Sequence, residues 1–553
     1  MSGLTVRSRA EGARLLTLLG LAALPLVVLG VFFVLPVSGM LARGLWPDGS
    51  LDLAGVVEVF GRPRVHRVLW FTLWSAGLGT LLSVLLGLPV AHLLYRRRFP
   101  GRGALRAALL VPFVLPTVVV GVAFRRLLAT GGPLGGLGLD GSAAAIVAAL
   151  VFFNVAVVVR AVGSTWESLD PRPAEAAAAL GASPRQVLWT VTLPALRPAV
   201  VSAASVVFLF CATAFGVVLT LGGLRYSTVE TEIYLLTTNL LDLQAAAALA
   251  LLQLVVVVAL LLVTQRLRRT ADPAREHRVG HAPQLGRRDL PAVLVSLVPL
   301  ALVVVPLAGL VVGSVRVEGE WSLAAYRALT RPTAVLPATV QDALVTSLRT
   351  AVDATWMSLL LGLLVAAVVT RRSRSRAERR TRALLDGLFM LPLGVSAVMV
   401  GFGFLITLDR PPLDLRDSPL LVPIAQALVA LPLVVRTLAP ALGGIDDRQR
   451  QAAASLGAPP WRVALTVDLP VVWRPLLAAA GFAFAVSLGE FGATSFLVRE
   501  DHPTLPVVIY RLLGRPGDLN AEMALAASVV LAATTAVVML AVERLRVRSL
   551  GAW

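Results

Sequence analysis

A chain of 553 residues with 57% hydrophobic and 15% charged residues lies outside the range of soluble domains, in which roughly a quarter of residues are charged. Its apolar residues gather in runs of about twenty, the length that spans a bilayer core, so the chain reads as a polytopic membrane protein. A net charge of +18 could suit a nucleic-acid partner, but the positive residues stand in short segments between apolar runs, the signature of membrane orientation.

All 50 basic residues are arginine, and no lysine occurs. A phosphate-binding P-loop needs a lysine behind its glycines, so the chain cannot carry one of the usual kind. If ATP drives this protein, another subunit binds it. Cys211 is the only cysteine, which excludes an intrachain disulfide and a cysteine metal cluster.

The N-terminus carries Arg7, Arg9 and Arg14 ahead of an apolar run from Leu15 to about Met40. That run is too long for the core of a cleaved signal peptide and reads as the first span. Further spans are expected at 68–95, 105–128, 142–162, 198–221 and 244–265, then at 290–315, 343–370, 383–408, 418–438, 475–498 and 521–543. The fold class is therefore all-α, with about twelve membrane helices, six in each half. The first half is 1–265, a polar Arg-, Pro- and Gly-bearing linker is 266–289, and the second half is 290–553. Placing the N-terminus in the cytoplasm puts most arginines in cytoplasmic segments, including Arg96-Arg97-Arg98 and the run from Arg371 to Arg382. Both termini are then cytoplasmic by the positive-inside rule. No loop is long enough to bury a core of its own, so the chain holds neither an external ligand-capturing domain nor a cytoplasmic enzyme domain.

The halves repeat one another. Glu175-Ala176-Ala177, Gly181, Val191 and Leu193-Pro194 recur as Gln451-Ala452-Ala453, Gly457, Val467 and Leu469-Pro470, each 276 positions on (457 − 181 = 276). Leu85-Leu86-Gly87-Leu88 is echoed by Leu360-Leu361-Gly362-Leu363, Pro112 with Gly121 by Pro392 with Gly401, and Phe215-Gly216 by Phe491-Gly492. Repeats of like topology are related by an axis along the membrane normal. Around Glu175 the pattern predicts a short helix. Pro171 and Pro173 open it, Glu175 suits the positive end of the dipole, the alanines propagate it, and Gly181 ends it. Pro194 is expected to mark a stop and the return to the membrane. In the second copy Asp446 and Asp447 supply the early acids, and Gly457 and Pro459-Pro460 the stop.

This repeated loop resembles the EAA loop of bacterial ABC importer permeases: Glu-Ala-Ala, three residues, Gly, nine residues, an aliphatic residue, one residue, Leu-Pro. Both copies fit, with Gln451 in place of the glutamate. The resemblance covers the whole chain. It implies that each loop forms a coupling helix docking into a groove on a cytoplasmic ATPase subunit, itself a homodimer, where ATP and Mg are bound. This chain would then need no cofactor or metal. It further implies delivery of substrate by an external solute-binding protein and a place in the bacterial inner membrane. Two permease halves in one polypeptide look most like the ferric iron and thiamine permeases, and Ser487-Leu488-Gly489-Glu490-Phe491-Gly492 is similar to a stretch of that subgroup. Iron is marginally preferred; molybdate, sulfate and polyamine permeases share the loop.

Ionisable groups inside spans are functional candidates. Glu490 is expected deep in the eleventh helix. Two roles compete for it: lining a pathway for a cationic substrate, together with Phe491, Gly492, Phe215 and Gly216, or bonding between helices. Its counterpart in the first half is Ala214. Asp353 is expected to pair with Arg349 within one helix. Asn154 and His92 suit interhelical hydrogen bonds. His277 and His281 read as solvated linker residues. No catalytic constellation emerges. A secondary transporter and a membrane enzyme are the rival classes, but neither the charged loop signatures of the first nor the clustered polar residues of the second are found.

Overall fold

The structure, a computed structural model, describes residues 18–548 except 48, 110–111, 113–114, 224, 270–282, 318–319, 332–338, 371–375, 391–394 and 410–412. His277 and His281 lie outside the described residues. Helices dominate; the one named sheet among the described residues pairs Arg316–Val317 antiparallel with Glu320–Trp321, Arg316 opposite Trp321.

Among the described residues, ten helices are long and apolar enough to cross a membrane: Leu18–Leu45, Pro63–Arg96, Ala143–Ser168, Pro184–Ala212, Leu243–Leu260, Leu290–Ser314, Val340–Thr370, Leu421–Gly443, Trp461–Leu488 and Asp518–Val542. The spans expected at 105–128 and 383–408 are not single helices. The first divides into Arg102–Ala108 and Thr117–Leu128, the second into Arg376–Met390 and Ala397–Thr407. Pro116 stands at the first restart in extended geometry and has no N–H to continue a helix. At the second restart the Ser396 hydroxyl accepts the Met399 N–H and caps a new helix.

The spans expected at 198–221 and 475–498 are shifted toward the N-terminus. They end at Ala212 and Leu488, and Gly216–Gly222 and Thr494–Leu497 are separate short helices. Nor does either Leu-Pro pair stop a helix. Each opens the long helix behind a π-turn, Leu188–Thr192 or Ala464–Asp468, and the Leu193 N–H reaches the Leu188 carbonyl while the Leu469 N–H reaches that of Ala464. The wider turn lets the chain pass a proline that cannot donate.

The chain forms two compact units that are not contiguous in sequence. One comprises Asp52–Tyr326 and Leu513–Val529. Its core is the Pro63–Arg96, Ala143–Ser168 and Leu193–Ala212 helices, and Leu290–Ser314, the first helix of the second half, packs on Pro63–Arg96 and Thr117–Leu128. The other comprises the described parts of Met1–Leu51, Arg327–Leu512 and Val530–Trp553. Its core is Val340–Thr370, Leu421–Gly443 and Leu469–Leu488, and Leu35–Leu45 packs on Ala397–Thr407. Each sequence half thus has its first helix in the unit built mainly from the other.

Repeated close approaches explain the repeated glycines. A Cβ on Gly87 would meet Val158 Cγ1 at 2.8 Å, and one on Gly362 would collide with Val434 Cγ1. Hydroxyls recur in the same way: Thr72 Oγ1 accepts the Val229 N–H at 3.0 Å, and Ser347 Oγ accepts the Leu505 N–H at 2.8 Å. Each satisfies an orphan donor at the start of a short helix. Asn154 donates to the Leu150 carbonyl and, across helices, to Cys211 Sγ at 3.4 Å.

The last residues of the linker are strapped to the first half. The Arg98 N–H donates to the Pro283 carbonyl at 3.0 Å and the Leu285 N–H to that of Arg98 at 3.1 Å. Asp289 accepts from Arg97 Nε at 2.8 Å and lies 3.2 Å from His92 Nε2. The Arg349–Asp353 ion pair does not form; Asp353 accepts instead from Trp356 Nε1 at 3.2 Å. An acid placed after its base on a helix is the weaker arrangement of such pairs, and the indole offers a nearer donor.

Candidate functional site

The first loop helix runs from Arg172 to Ala179 and the second from Asp447 to Ser455. An aspartate opens each: Asp170 Oδ1 accepts the Arg172 N–H and Asp446 Oδ1 the Arg448 N–H, both at 3.0 Å. Each closes with a leucine at the C-cap and a glycine in left-handed conformation, Gly181 at φ +88° and Gly457 at φ +84°. The N–H of Ala182 then bonds the carbonyl of Ala177 at 3.0 Å, and that of Ala458 the carbonyl of Ala453 at 3.1 Å.

Neither loop helix buries a residue. Glu175, Ala176, Gln451 and Ala452 are exposed, while Ala177 and Ala453 turn partly inward. Leu193 and Leu469 are half-buried and Pro194 and Pro470 exposed, each at the opening of its long helix. Leu180 and Leu456 are 90% and 89% exposed, and Trp189 and Trp461 are 69% and 62% exposed. The motif spacing does not single out these four apolar side chains. The signal for two of them was available in the sequence, since a leucine precedes the glycine in both copies.

The foot of the first loop is anchored by charge. Arg102 and Arg106 reach Glu167 Oε1 at 3.3 and 3.5 Å, and the Arg106 guanidinium lies 4.0 Å from the Tyr95 ring centroid.

A second matched feature is the interruption that follows each long helix. In one unit Thr228 Oγ1 donates to the Ala214 carbonyl at 3.2 Å, ahead of buried Phe215 and Gly216. In the other, Glu490 stands past the end of its helix rather than deep within it. Its Oε1 accepts the Ala493 N–H at 2.8 Å, and its Oε2 accepts the Thr494 N–H at 3.0 Å and the Thr494 hydroxyl at 2.5 Å. It is 7% exposed and caps the short helix that follows, because donors left by the break must be met inside the protein. Gln426 Nε2 adds a bond to Thr494 Oγ1 at 3.4 Å. Phe491 and Gly492 are buried beside it, and a Cβ on Gly492 would meet that of Ala397 at 2.9 Å.

The family described as "binding-protein-dependent transport system inner membrane component" matches this chain twice, over residues 79–275 and 358–549. The chain belongs to that family. With two matches in one polypeptide it is a fused two-half permease of the ABC importer class, an all-α, multi-pass membrane protein. It is similar to the thiamine transport system permease protein ThiP of Escherichia coli (strain K12), 29% identical over 483 residues, which are 85% of this chain and 87% of the relative. The protein of the same name from Brucella abortus (strain 2308) is 28% identical over 489 residues, 84% and 85% of the two chains. The probable ABC transporter permease protein y4fN of Sinorhizobium fredii (strain NBRC 101917 / NGR234) is 27% identical over 529 residues, 89% and 90% of the two. This permease resembles all three along most of its length, and the two family matches contain both loops.

Proposed function

We propose that this permease imports thiamine, that a separate cytoplasmic ATPase dimer binds ATP and Mg and drives it, and that an external binding protein delivers the substrate. The names of its full-length relatives support thiamine and move the preference away from ferric iron. The absence of lysine supports ATP hydrolysis on another chain, since a P-loop cannot be built here. The two loops are the coupling elements, through Glu175, Ala176, Ala177, Gly181, Leu193 and Pro194 and through Gln451, Ala452, Ala453, Gly457, Leu469 and Pro470. Residues 1–265 and 290–553 act as two halves joined by 266–289, with both termini in the cytoplasm.

The observation that carries the coupling role is the matched exposure of Leu180 and Leu456. Each stands at the C-cap of a short alanine-rich loop helix that lies outside the ten long apolar helices. Burying a leucine against a partner is worth roughly 1.5–3 kcal/mol, so the two provide paired anchors for one ATPase dimer. ATP-driven closure of that dimer would draw the loops together and rock the halves in alternating access.

The test is uptake of radiolabelled thiamine by proteoliposomes holding the complex purified through a tag on this chain. Deleting Glu175–Gly181, or Gly181→Asp, abolishes uptake while the protein still inserts. Normal ATP-coupled uptake after that deletion would refute the coupling role, and unlabelled ferric iron competing where unlabelled thiamine does not would refute the substrate.

A further inference from the structure

The two loops reach one backbone shape by different means. In the first, Pro171 and Pro173 fix the opening turn, and a capping box holds the second bend. There Gln186 Oε1 accepts the Ser183 N–H at 2.7 Å, and Ser183 Oγ accepts the Gln186 N–H at 3.4 Å. In the second loop the positions 276 residues on hold Asp447, Gln449, Pro459 and Arg462. Both devices are gone, yet the left-handed glycine and the π-turn recur.

Arg450 stands in their place. Its Nε donates to Asp468 Oδ1 at 2.7 Å, its Nη1 to Asp447 Oδ1 at 3.4 Å, and its Nη2 to the Leu442 carbonyl at 3.4 Å. One guanidinium thus joins the end of the incoming Leu421–Gly443 helix, the first turn of the loop helix, and the π-turn that leads out. The side chains of Arg450 and Asp468 are 31% and 23% exposed, so the pair is partly shielded from solvent. A planar fork of donors holds several acceptors in fixed directions, which an ammonium on a flexible stem does not. The corresponding residues of the first loop are Ala174, Pro171 and Thr192, and no such clamp can form there.

We infer that Arg450 is the positioning residue of the second coupling loop: it locks the loop stem, so that a push from the ATPase moves the membrane helices instead of flexing the loop. The assignment rests on the coupling role proposed above. The first loop obtains the same stiffness from its prolines and its capping box.

The experiment compares variants of the purified complex in proteoliposomes and reads radiolabelled thiamine taken up per ATP hydrolysed. Arg450→Met lowers that ratio about fivefold, the scale set by loss of one partly buried charge pair, with the amount of bound ATPase unchanged. Arg450→Lys falls between. Asp468→Asn lowers the ratio less than Arg450→Met, because Asp447 and the Leu442 carbonyl still hold the guanidinium, and the double variant is no worse than Arg450→Met, as expected of partners in one interaction. Adding Ala174→Arg with Thr192→Asp to a Pro171→Ala, Pro173→Ala background restores the ratio by rebuilding the clamp in the first loop. Hydrogen exchange of amides 446–468 in the chain alone in nanodiscs gives a readout independent of substrate, and Arg450→Met speeds it. An unchanged ratio in Arg450→Met, additive effects of the two single variants, or unchanged exchange would each overturn the assignment. Should deletion of Glu175–Gly181 also leave uptake intact, the coupling reading itself falls; should that deletion abolish uptake while Arg450→Met does nothing, only the clamp does.

Discussion

Phe491 sets its ring 5.4 Å from that of Tyr510, and 276 residues earlier Phe215 stands 5.5 Å from Tyr234. Each phenylalanine follows the last residue of a long helix, Leu488 or Ala212, by three positions, and each tyrosine rides on the short helix Leu505–Leu513 or Val229–Thr238. Backbone that has just left helical geometry is thereby fastened to a rigid neighbour. Phe491→Ala is expected to destabilise the protein by about 3–5 kcal/mol, the usual loss for a buried ring. Tyr510→Phe, which keeps the ring, should cost far less. Denaturant unfolding in detergent, followed by tryptophan fluorescence, measures both.

Glu490 accepts three hydrogen bonds from Ala493 and Thr494. Glu490→Gln keeps one acceptor oxygen but turns an NH₂ toward backbone donors, leaving an N–H unmet. The expected loss is about 1–3 kcal/mol, read in the same unfolding experiment. Full stability together with a selective loss of uptake would instead assign the carboxylate to substrate.

Leu180 and Leu456 lie open to solvent. Replacing each with serine removes an apolar anchor of roughly 1.5–3 kcal/mol and leaves the fold untouched, because neither side chain packs within the protein. The double variant should insert normally and lose the ATPase on purification. Retention of the ATPase at wild-type yield would show that these leucines are not its contact.

Gly362 faces Val434, and Gly87 faces Val158. Alanine at either position drives a methyl group into the neighbouring valine, and overpacking of this kind costs typically 1–3 kcal/mol. Both variants should lower the apparent melting temperature. Gly77, which has open space at its Cβ, is the control at which alanine should be tolerated.

Burial pushes the Asp289 carboxyl up, but the Gly286 N–H, Arg97 and His92 outweigh it and hold the group below its usual range. A depressed acid stabilises the folded state above its unfolded value of about 3.9, and the contribution is lost as pH falls through the lower, folded value. In a His92→Gln background, which removes the neighbouring imidazole's own titration, the difference in apparent melting temperature made by Asp289→Asn should therefore be constant from neutral pH down to about 5 and vanish in stronger acid. A difference that changed between pH 8 and 6 would point to another group.

Much of this protein is determined by local sequence. Membrane spans are legible because hydropathy sums over some twenty residues and needs no partner. The repeat is legible because Gly181 and Gly457 serve a backbone need that is met within their own turns. The sequence therefore identifies the all-α class, the duplication and the two loops. Part of what it does not show is where an apolar run breaks, and part depends on residues far apart in the chain. The expected spans at 105–128 and 383–408 are apolar enough to be continuous, yet helices restart at Thr117 and Ala397. Glu490 reads as a residue within a helix because the preceding run is apolar, and only the folded chain shows that the helix ends at Leu488 and that the carboxylate meets the freed donors. Arg450 looks like one more surface arginine until folding brings Asp468 to it across the loop. The exchange of first helices between the halves, and the strap from Asp289 to Arg97, join residues nearly two hundred positions or more apart. A local pattern carries its own energy and can be read in place, whereas a contact across such a distance has a partner only once the chain has packed.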